Sequence, residues 1–239
     1  TNIMLNSAVA ESLRIYADRL ENAENFEEAL HEMIKKTIRD HKRIIFNGNG
    51  YDDAWIEEAT KVRGLLNYRT TADCMPHLLD EKNVDMLTSL GVFTIDELRS
   101  RVDIMLENYC KSVDIEAHTM VRMARTQIAP AIESYASELA QAAAAKKAVV
   151  PSLKCGYETG LIETLSGLID EIEIKTDELE AALLKVKDAA DIIEESAMVR
   201  DLLLPVMDEL RAPCDKAEQL TARSYWPYPT YGELLFGVK

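Results

Sequence analysis

The sequence predicts an all-α protein, an elongated helical bundle with long antiparallel helices, and three observations carry that expectation. Of 239 residues only nine are glycine and seven proline, while Ala, Leu, Glu, Lys and Met, which favour helix, are common. No glycine occurs between Val92 and Cys155 or between Leu168 and Tyr231, so two long stretches lack the usual breaker. Apolar residues recur at steps of three and four, the spacing of one helix face.

Leu5, Val9, Leu13, Tyr16 and Leu20 define an amphipathic helix over residues 2–21. Phe26, Leu30, Met33, Ile34 and Ile38 continue the pattern to about Arg43, and the short break at Asn22–Asn25 makes the two helices antiparallel. Two Asn-Gly pairs at Asn47–Gly50 force a turn, after which an Asp caps a helix of about 53–62. Residues 64–92 read as short helices punctuated by Gly64, Pro76 and Gly91. One helix is expected from Thr94 to about Tyr109, and another from about Ile115 to Lys147 with a kink at Pro130. Val150-Pro151-Ser152 breaks the chain again.

Beyond that break Leu161, Leu165, Leu168, Ile172, Leu179, Leu183, Val186, Ala190 and Ile193 alternate steps of four and three, with Lys175 as the one polar occupant of the seam. A helix to about Ala190 and a second, containing Pro205 and ending near Pro213 or Arg223, form a heptad-like antiparallel hairpin over 157–223. The seam reads as ordinary bundle core rather than a dedicated coiled coil. The chain then closes on Tyr225–Phe236, which holds five aromatic residues and two of the seven prolines. Such a tail docks, because aromatic side chains bring the largest apolar area a chain can bury. Pro227 and Pro229 favour an extended path, and Trp226, Tyr228, Tyr231 and Phe236 are expected to fold back onto the N-terminal part.

Composition excludes several function classes. A net charge of −15, with most of the excess beyond residue 150, repels phosphate backbones and anionic membranes, so neither nucleic acid nor membrane is an expected partner. No apolar run approaches the ~18 residues of a membrane span, and no signal pattern opens the chain. Cys74, Cys110, Cys155 and Cys214 form no CxxC pair and read as reduced, mostly buried thiols of a cytoplasmic protein. The chain begins at Thr1, which fits initiator removal or truncation of a longer polypeptide.

Few residues carry chemistry. Glu28-Ala29-Leu30-His31 has the Glu-x-x-His spacing of a bundle metal site, but such a site needs a second copy and two further inward carboxylates. His118, within Glu116-Ala117-His118, has the wrong spacing, so His31 is assigned to a solvated or partner-facing surface. Gly48-Asn49-Gly50 has a phosphate-loop flavour, yet Asp53 stands at the third glycine position and no Lys-Ser/Thr follows. The turn reading is preferred. No catalytic, cofactor-binding or metal residue is assigned from the residues themselves.

Several segments resist explanation as generic bundle sequence. They are Asn2-Ile3-Met4-Leu5-Asn6-Ser7-Ala8-Val9-Ala10-Glu11-Ser12-Leu13, Ile45-Phe46-Asn47-Gly48-Asn49-Gly50-Tyr51 with Trp55, Gly64-Leu65-Leu66-Asn67, Thr70-Thr71, Leu106-Glu107-Asn108-Tyr109, Ile115-Glu116-Ala117-His118-Thr119-Met120 and Trp226–Phe236. In that order they resemble the C-terminal portion of the type III glutamine synthetases; Cys110 and His118 stand where other small or apolar residues are expected. The resemblance implies that 1–65 are the last helices of a catalytic domain and 66–239 a helical C-terminal domain. It further implies an ATP-dependent ligase of nitrogen metabolism, which phosphorylates the glutamate side-chain carboxylate and lets ammonia displace the phosphate to give glutamine. In that family ATP and Mg2+ or Mn2+ are bound upstream of the matching region, so the resemblance implies no site residue here and no activity for this chain alone. Its implied partners are the N-terminal catalytic domain and neighbouring subunits of homo-oligomeric rings. The competing reading is a stand-alone helical scaffold or adaptor that binds a partner through the 157–223 hairpin. A metal-dependent bundle enzyme is a third. Under the first reading, the helix over 2–21 should leave apolar surface open.

Overall fold

The computed structural model describes residues 1–237, and the side chains of all of these except Tyr231; it contains helices and no strand among them. Helix α1 (Asn2–Glu21) turns at Asn22–Asn25 into α2 (Phe26–His41), whose first turn is capped by the Asn25 side chain accepting from the Glu28 N–H at 3.3 Å. Asp52 caps α3 (Asp53–Glu57) in the same way, accepting from the Ala54 N–H at 3.0 Å, and this helix widens into a π-turn at Glu58–Val62 before Gly64 stops it at φ 66°. A capping box between Thr70 and Asp73 opens the short α4 (Thr71–Cys74). A 3-10 turn at Pro76–Leu79 leads into α5 (Glu81–Ser89), which ends at Gly91 with φ 65°.

The two helices expected from Thr94 to Lys147 are one. Helix α6 (Ile95–Met123), a π-turn at Ala124–Ile128 and α7 (Ala129–Val149) run without interruption for 55 residues. Buried Cys110, Val113, Ala117, Val121 and Ala124 keep the three-four spacing through the expected gap, so nothing there stops the ladder. Thr94 and Glu97 form the reciprocal start, with the Glu97 carboxylate accepting from the Thr94 N–H at 2.8 Å.

Pro130 acts through the π-turn before it. Lacking an N–H, it cannot donate to the carbonyl four residues back, and its ring crowds that carbonyl. The Ala129 N–H reaches back five residues to Ala124 O. Pro205 repeats the device: the Leu204 N–H reaches Val199 O across the π-turn Val199–Leu203. That turn joins α9 (Ile192–Met198), capped by Asp191, to α10 (Leu204–Leu220).

Between these long helices runs α8 (Gly156–Val186), entered through Cys155 in the left-handed conformation at φ 51°. It packs against α7 on one side and α10 on the other, and cross-links fix an antiparallel register with the long helix. Lys146 pairs with Glu158 near one end, and Arg125 donates to both Asp177 and Glu180 at 2.6 Å further along. Leu165, Leu168, Ile172, Leu179, Leu183 and Val186 are buried, so the seam is the core of a three-helix bundle. Two details differ from expectation. Thr176, not Lys175, is the buried polar occupant; its hydroxyl is satisfied by the Ile172 carbonyl at 2.6 Å, while Lys175 reaches Glu178 and Glu209 at the surface. Helix α8 ends at Val186, which leaves Ala190 in a turn and Ile193 half exposed. The second hairpin helix passes through Pro213 and ends at Leu220.

By contacts the chain divides into two compact units, Thr1–Met105 and the residues from Leu106 onward. The first turns of α6 supply Leu98 and Val102 to the former, where Leu87 is also buried; the rest of the long helix belongs to the latter.

Candidate functional site

The aromatic tail docks, but onto the second unit rather than the N-terminal part. Trp226 is buried in the cluster that includes Ala124, Ile128, Leu210 and Cys214. The Tyr228 hydroxyl donates to Gln127 Oε1 at 2.7 Å and the Tyr225 hydroxyl donates to Glu138, so Tyr225, Trp226 and Tyr228 grip the long helix around its π-turn and proline. Tyr135 packs against Tyr225 with ring centroids 5.4 Å apart. The path is extended only to Thr230, where a capping box with Glu233 starts α11 (Tyr231–Phe236), and Arg223 ties that helix back by binding the Glu233 carboxylate at 2.5 Å. Phe236 is exposed, contrary to expectation; the expected seat of the Tyr231 side chain lies outside the described residues. One half of the tail anchors and the other presents Leu234, Leu235 and Phe236 to solvent.

In the first unit the conspicuous feature is open apolar surface. Helix α1 buries only Ser7, while Leu5, Val9 and Leu13 are 58–62% exposed, as expected for the helix over 2–21. Ile34 and Ile38 of α2 and the following Ile44 and Ile45 are also exposed. Of the expected apolar row, Leu5, Val9 and Leu13 are thus open, whereas Tyr16 and Leu20 are partly buried where α1 meets α2 and the Tyr16 hydroxyl lies 3.2 Å from Thr37 Oγ1.

The Asn-Gly turn is a built structure. Phe46 stacks on Trp55 with centroids 3.7 Å apart, and the Arg63 guanidinium lies 4.8 Å from the Trp55 ring. Arg63 Nη1 donates to the Arg43 and Ile45 carbonyls at 3.2 and 2.9 Å, and Nε donates to Glu58 at 2.8 Å. A Cβ at Gly48 would fall 2.7 Å from the Phe46 ring, which explains one glycine of the pair. Arg63 is committed to the chain itself, and the loop serves as a turn.

Glu28 and His31 are both exposed on α2, and His118 lies 3.6 Å from Asp114 on the outside of α6. Among the described residues no three His, Cys, Asp or Glu side chains converge as a metal site. All four cysteines are free; Cys110 and Cys214 are buried, and burial pushes both thiols up to about 11. His77, which stacks on Tyr68 at 4.2 Å and meets Asp80 at 3.1 Å, carried no signal in the sequence. No helix among the described residues is long and apolar enough to cross a membrane.

The Glutamine synthetase C-terminal domain matches residues 29–147, from α2 to the end of the long helix. The chain is 36% identical over 218 residues to a glutamine synthetase of Butyrivibrio fibrisolvens, covering 91% of this chain and 31% of that protein. It is 29% identical to the type-3 glutamine synthetase of Dictyostelium discoideum, across 98% of this chain and 33% of the relative. A glutamine synthetase of Bacteroides fragilis is 26% identical, with the same shares of 98% and 33%. The chain therefore spans about a third of the length of the curated relatives it matches. With a helical architecture, the family's model matching residues 29–147 and relatives aligned along nearly its whole length, the chain belongs to the glutamine synthetase C-terminal domain family.

Proposed function

We propose that this chain is the C-terminal structural and assembly portion of a type III glutamine synthetase, with residues 1–65 as the last helices of the catalytic domain and 66–239 as its helical C-terminal domain. The observation that carries the reading is the uncovered face of α1. An amphipathic helix that turns Leu5, Val9 and Leu13 to solvent is stable in the whole protein when another element covers them, and exposed apolar surface of this extent marks an interaction site. The cover is the preceding catalytic domain. Within that enzyme, ATP and Mg2+ or Mn2+ are held by residues upstream of this chain, where glutamate is phosphorylated and ammonia displaces the phosphate. Phosphoryl transfer of this kind rests on positioning and on charge neutralisation by metals. The residues here contribute neither; they brace the catalytic domain and place its neighbours in a cytoplasmic homo-oligomeric ring.

The adaptor reading would draw on the hairpin over 157–223, but its seam is spent inside the bundle, and the larger open apolar surface lies in the first unit. Two measurements test the proposal. The purified chain should form no glutamine from glutamate, ammonia and ATP, and the reading frame should continue upstream into a catalytic core. Turnover by the chain alone, or a frame opening immediately before Thr1, overturns it.

A further inference from the structure

Between α6 and α10 runs an apolar groove, in which two cavities of about 490 and 240 Å³ share Met120 and Arg211 in their walls. Ile115, Met120 and Met123 of α6 line it with Leu204, Met207 and Leu210 of α10, and Trp226 and Tyr228 of the docked tail close one end. From Ile115 to Ile128 the strip is about 20 Å long, room for about four turns of helix. Methionines adapt to what is laid against them, and Met-rich grooves receive helices. The charge along this groove is one-sided. Glu116, Asp208, Asp215 and Glu218 line it, and Arg211, the cation of that lining, donates to Asp215 at 3.1 Å. Glu116, Asp208 and Glu218 are in no ion pair among the described residues.

The first unit carries the opposite combination. Exposed Ile34, Ile38 and Ile45 lie along the second half of α2 and the turn after it, and Ile38 and Ile45 line one recess with Lys42 and Arg43. In a chain of net charge −15, residues 35–43 set Lys35, Lys36, Arg39, Lys42 and Arg43 against Asp40 alone. Lys35 pairs with Glu32 and Lys36 with Asp40, whereas Lys42 and Arg43 are in no ion pair among the described residues. Each face thus joins open apolar side chains to uncompensated charge, and the two signs are opposite.

We propose that these are the two sides of one contact between copies of this chain: the face from Ile34 to Ile45 of one copy seats in the α6–α10 groove of a second copy, with Lys42 and Arg43 set against Glu116 and Asp208. Two unlike faces make a heterologous contact, which repeats from copy to copy until it closes. The inference rests on the assembly role proposed above for its setting. That role is tested by glutamine formation and by the reading frame, and this contact by association alone, so either can fail without the other.

The test is sedimentation of the full 239-residue chain at submillimolar concentration. The unaltered chain should associate, and raising the salt from about 0.05 M to about 0.5 M should weaken that association by screening the charges. Reversing the face, with Lys42→Glu and Arg43→Glu, or the groove, with Glu116→Lys and Asp208→Lys, should weaken it at least about tenfold. The two variants mixed should associate again, because each face then finds a groove of opposite sign. An unaltered chain that stays monomeric overturns the proposal, as does a mixture that fails to recover. Association that ignores salt and both reversals, as expected of the apolar row on α1, overturns it too. All four substituted positions are exposed, so the core is left intact. If a variant nonetheless fails to fold, the salt series on the unaltered chain decides: association that does not weaken overturns the proposal.

Discussion

The two units of this chain solve the burial problem differently. From Leu106 onward the helices share one continuous core, in which Ile132, Leu165, Ile172, Leu179, Val199, Leu203 and Leu210 are wholly buried. The residues Thr1–Met105 fully bury Leu87, Leu98 and little else of size, while Ile3, Leu5, Val9, Leu13, Phe26, Ile34, Ile38, Ile44 and Ile45 stay exposed. Both are mainly helical and both carry amphipathic helices. The difference lies in what the apolar faces meet: one unit closes its own core and the other leaves apolar surface open.

The largest effect that could break this contrast is a core truncation in the second unit. Leu179→Ala, at a side chain with no exposed surface, should cost about 2–5 kcal/mol, read as a fall in denaturation midpoint with unchanged slope. Met33→Ala, at the inner edge of the open unit, should fall at or below the low end of that range, because its surroundings can relax toward solvent. Equal losses at the two sites would mean that the first unit holds a core as tight as the second.

Next in size is a local cap. Thr70→Ala removes the capping box with Asp73 and should cost about 1 kcal/mol. Hydrogen exchange should register that loss in the helices around residues 71–89 and leave α8 and α10 unchanged. Protection lost equally in both units would show them to unfold as one.

Alkaline titration sharpens the comparison from the other side, since both perturbed thiols lie in the second unit. Desolvation, with Glu195 near Cys110 and Asp215 near Cys214, raises each from its ordinary 9.0 to about 11. The unfolded chain then ionises first, so this stabilisation is complete below about pH 9 and is lost as the pH rises through 11. Exchange protection of α8 and α10 should therefore fall over that window, and replacing both cysteines by alanine should flatten the decline. At the acid end the sign reverses: Lys146 holds the Glu158 carboxyl below the usual range, a contribution present at neutral pH and lost as the pH falls through its folded value.

How much of this was legible follows the range of the forces involved. Caps and breakers act within one turn of helix, so the Asp cap before residue 53, Gly64 and Gly91 announced their roles in the sequence, whereas Asn25 marked only a break and Thr70 was not singled out as a cap. Pro130 announced an irregularity without its form and Pro205 was placed inside a helix without one, because a π-turn is the response of the ladder and leaves no residue signature of its own. Thr176 was hidden by drift: after Ile172 a step of three or four serves equally, and packing on both sides of α8 chose four. The tail's readiness to dock was visible in its aromatics, but its partner was not, since Gln127 and Glu138 are ordinary polar residues of a long helix until Tyr228 and Tyr225 reach them. No rule of spacing separates the covered seam of α8 from the open face of α1.

That indistinguishable pair supports the smallest stability effect and the most discriminating outcome. Leu13 is 62% exposed on α1, so Leu13→Ser should shift stability by no more than about 0.5 kcal/mol, the scale of ordinary surface substitutions. It should also reduce hydrophobic-dye binding and self-association of the chain, because it interrupts the row formed by Leu5, Val9 and Leu13. A serine at Leu183, which has the same kind of spacing in α8, should unfold the second unit instead. If Leu13→Ser destabilises as strongly as Leu183→Ser, the face of α1 is already covered within the chain and forms no interface with a preceding domain. If it changes dye binding and association while stability holds, the same sequence pattern performs two jobs, closing a core in one unit and offering a contact in the other.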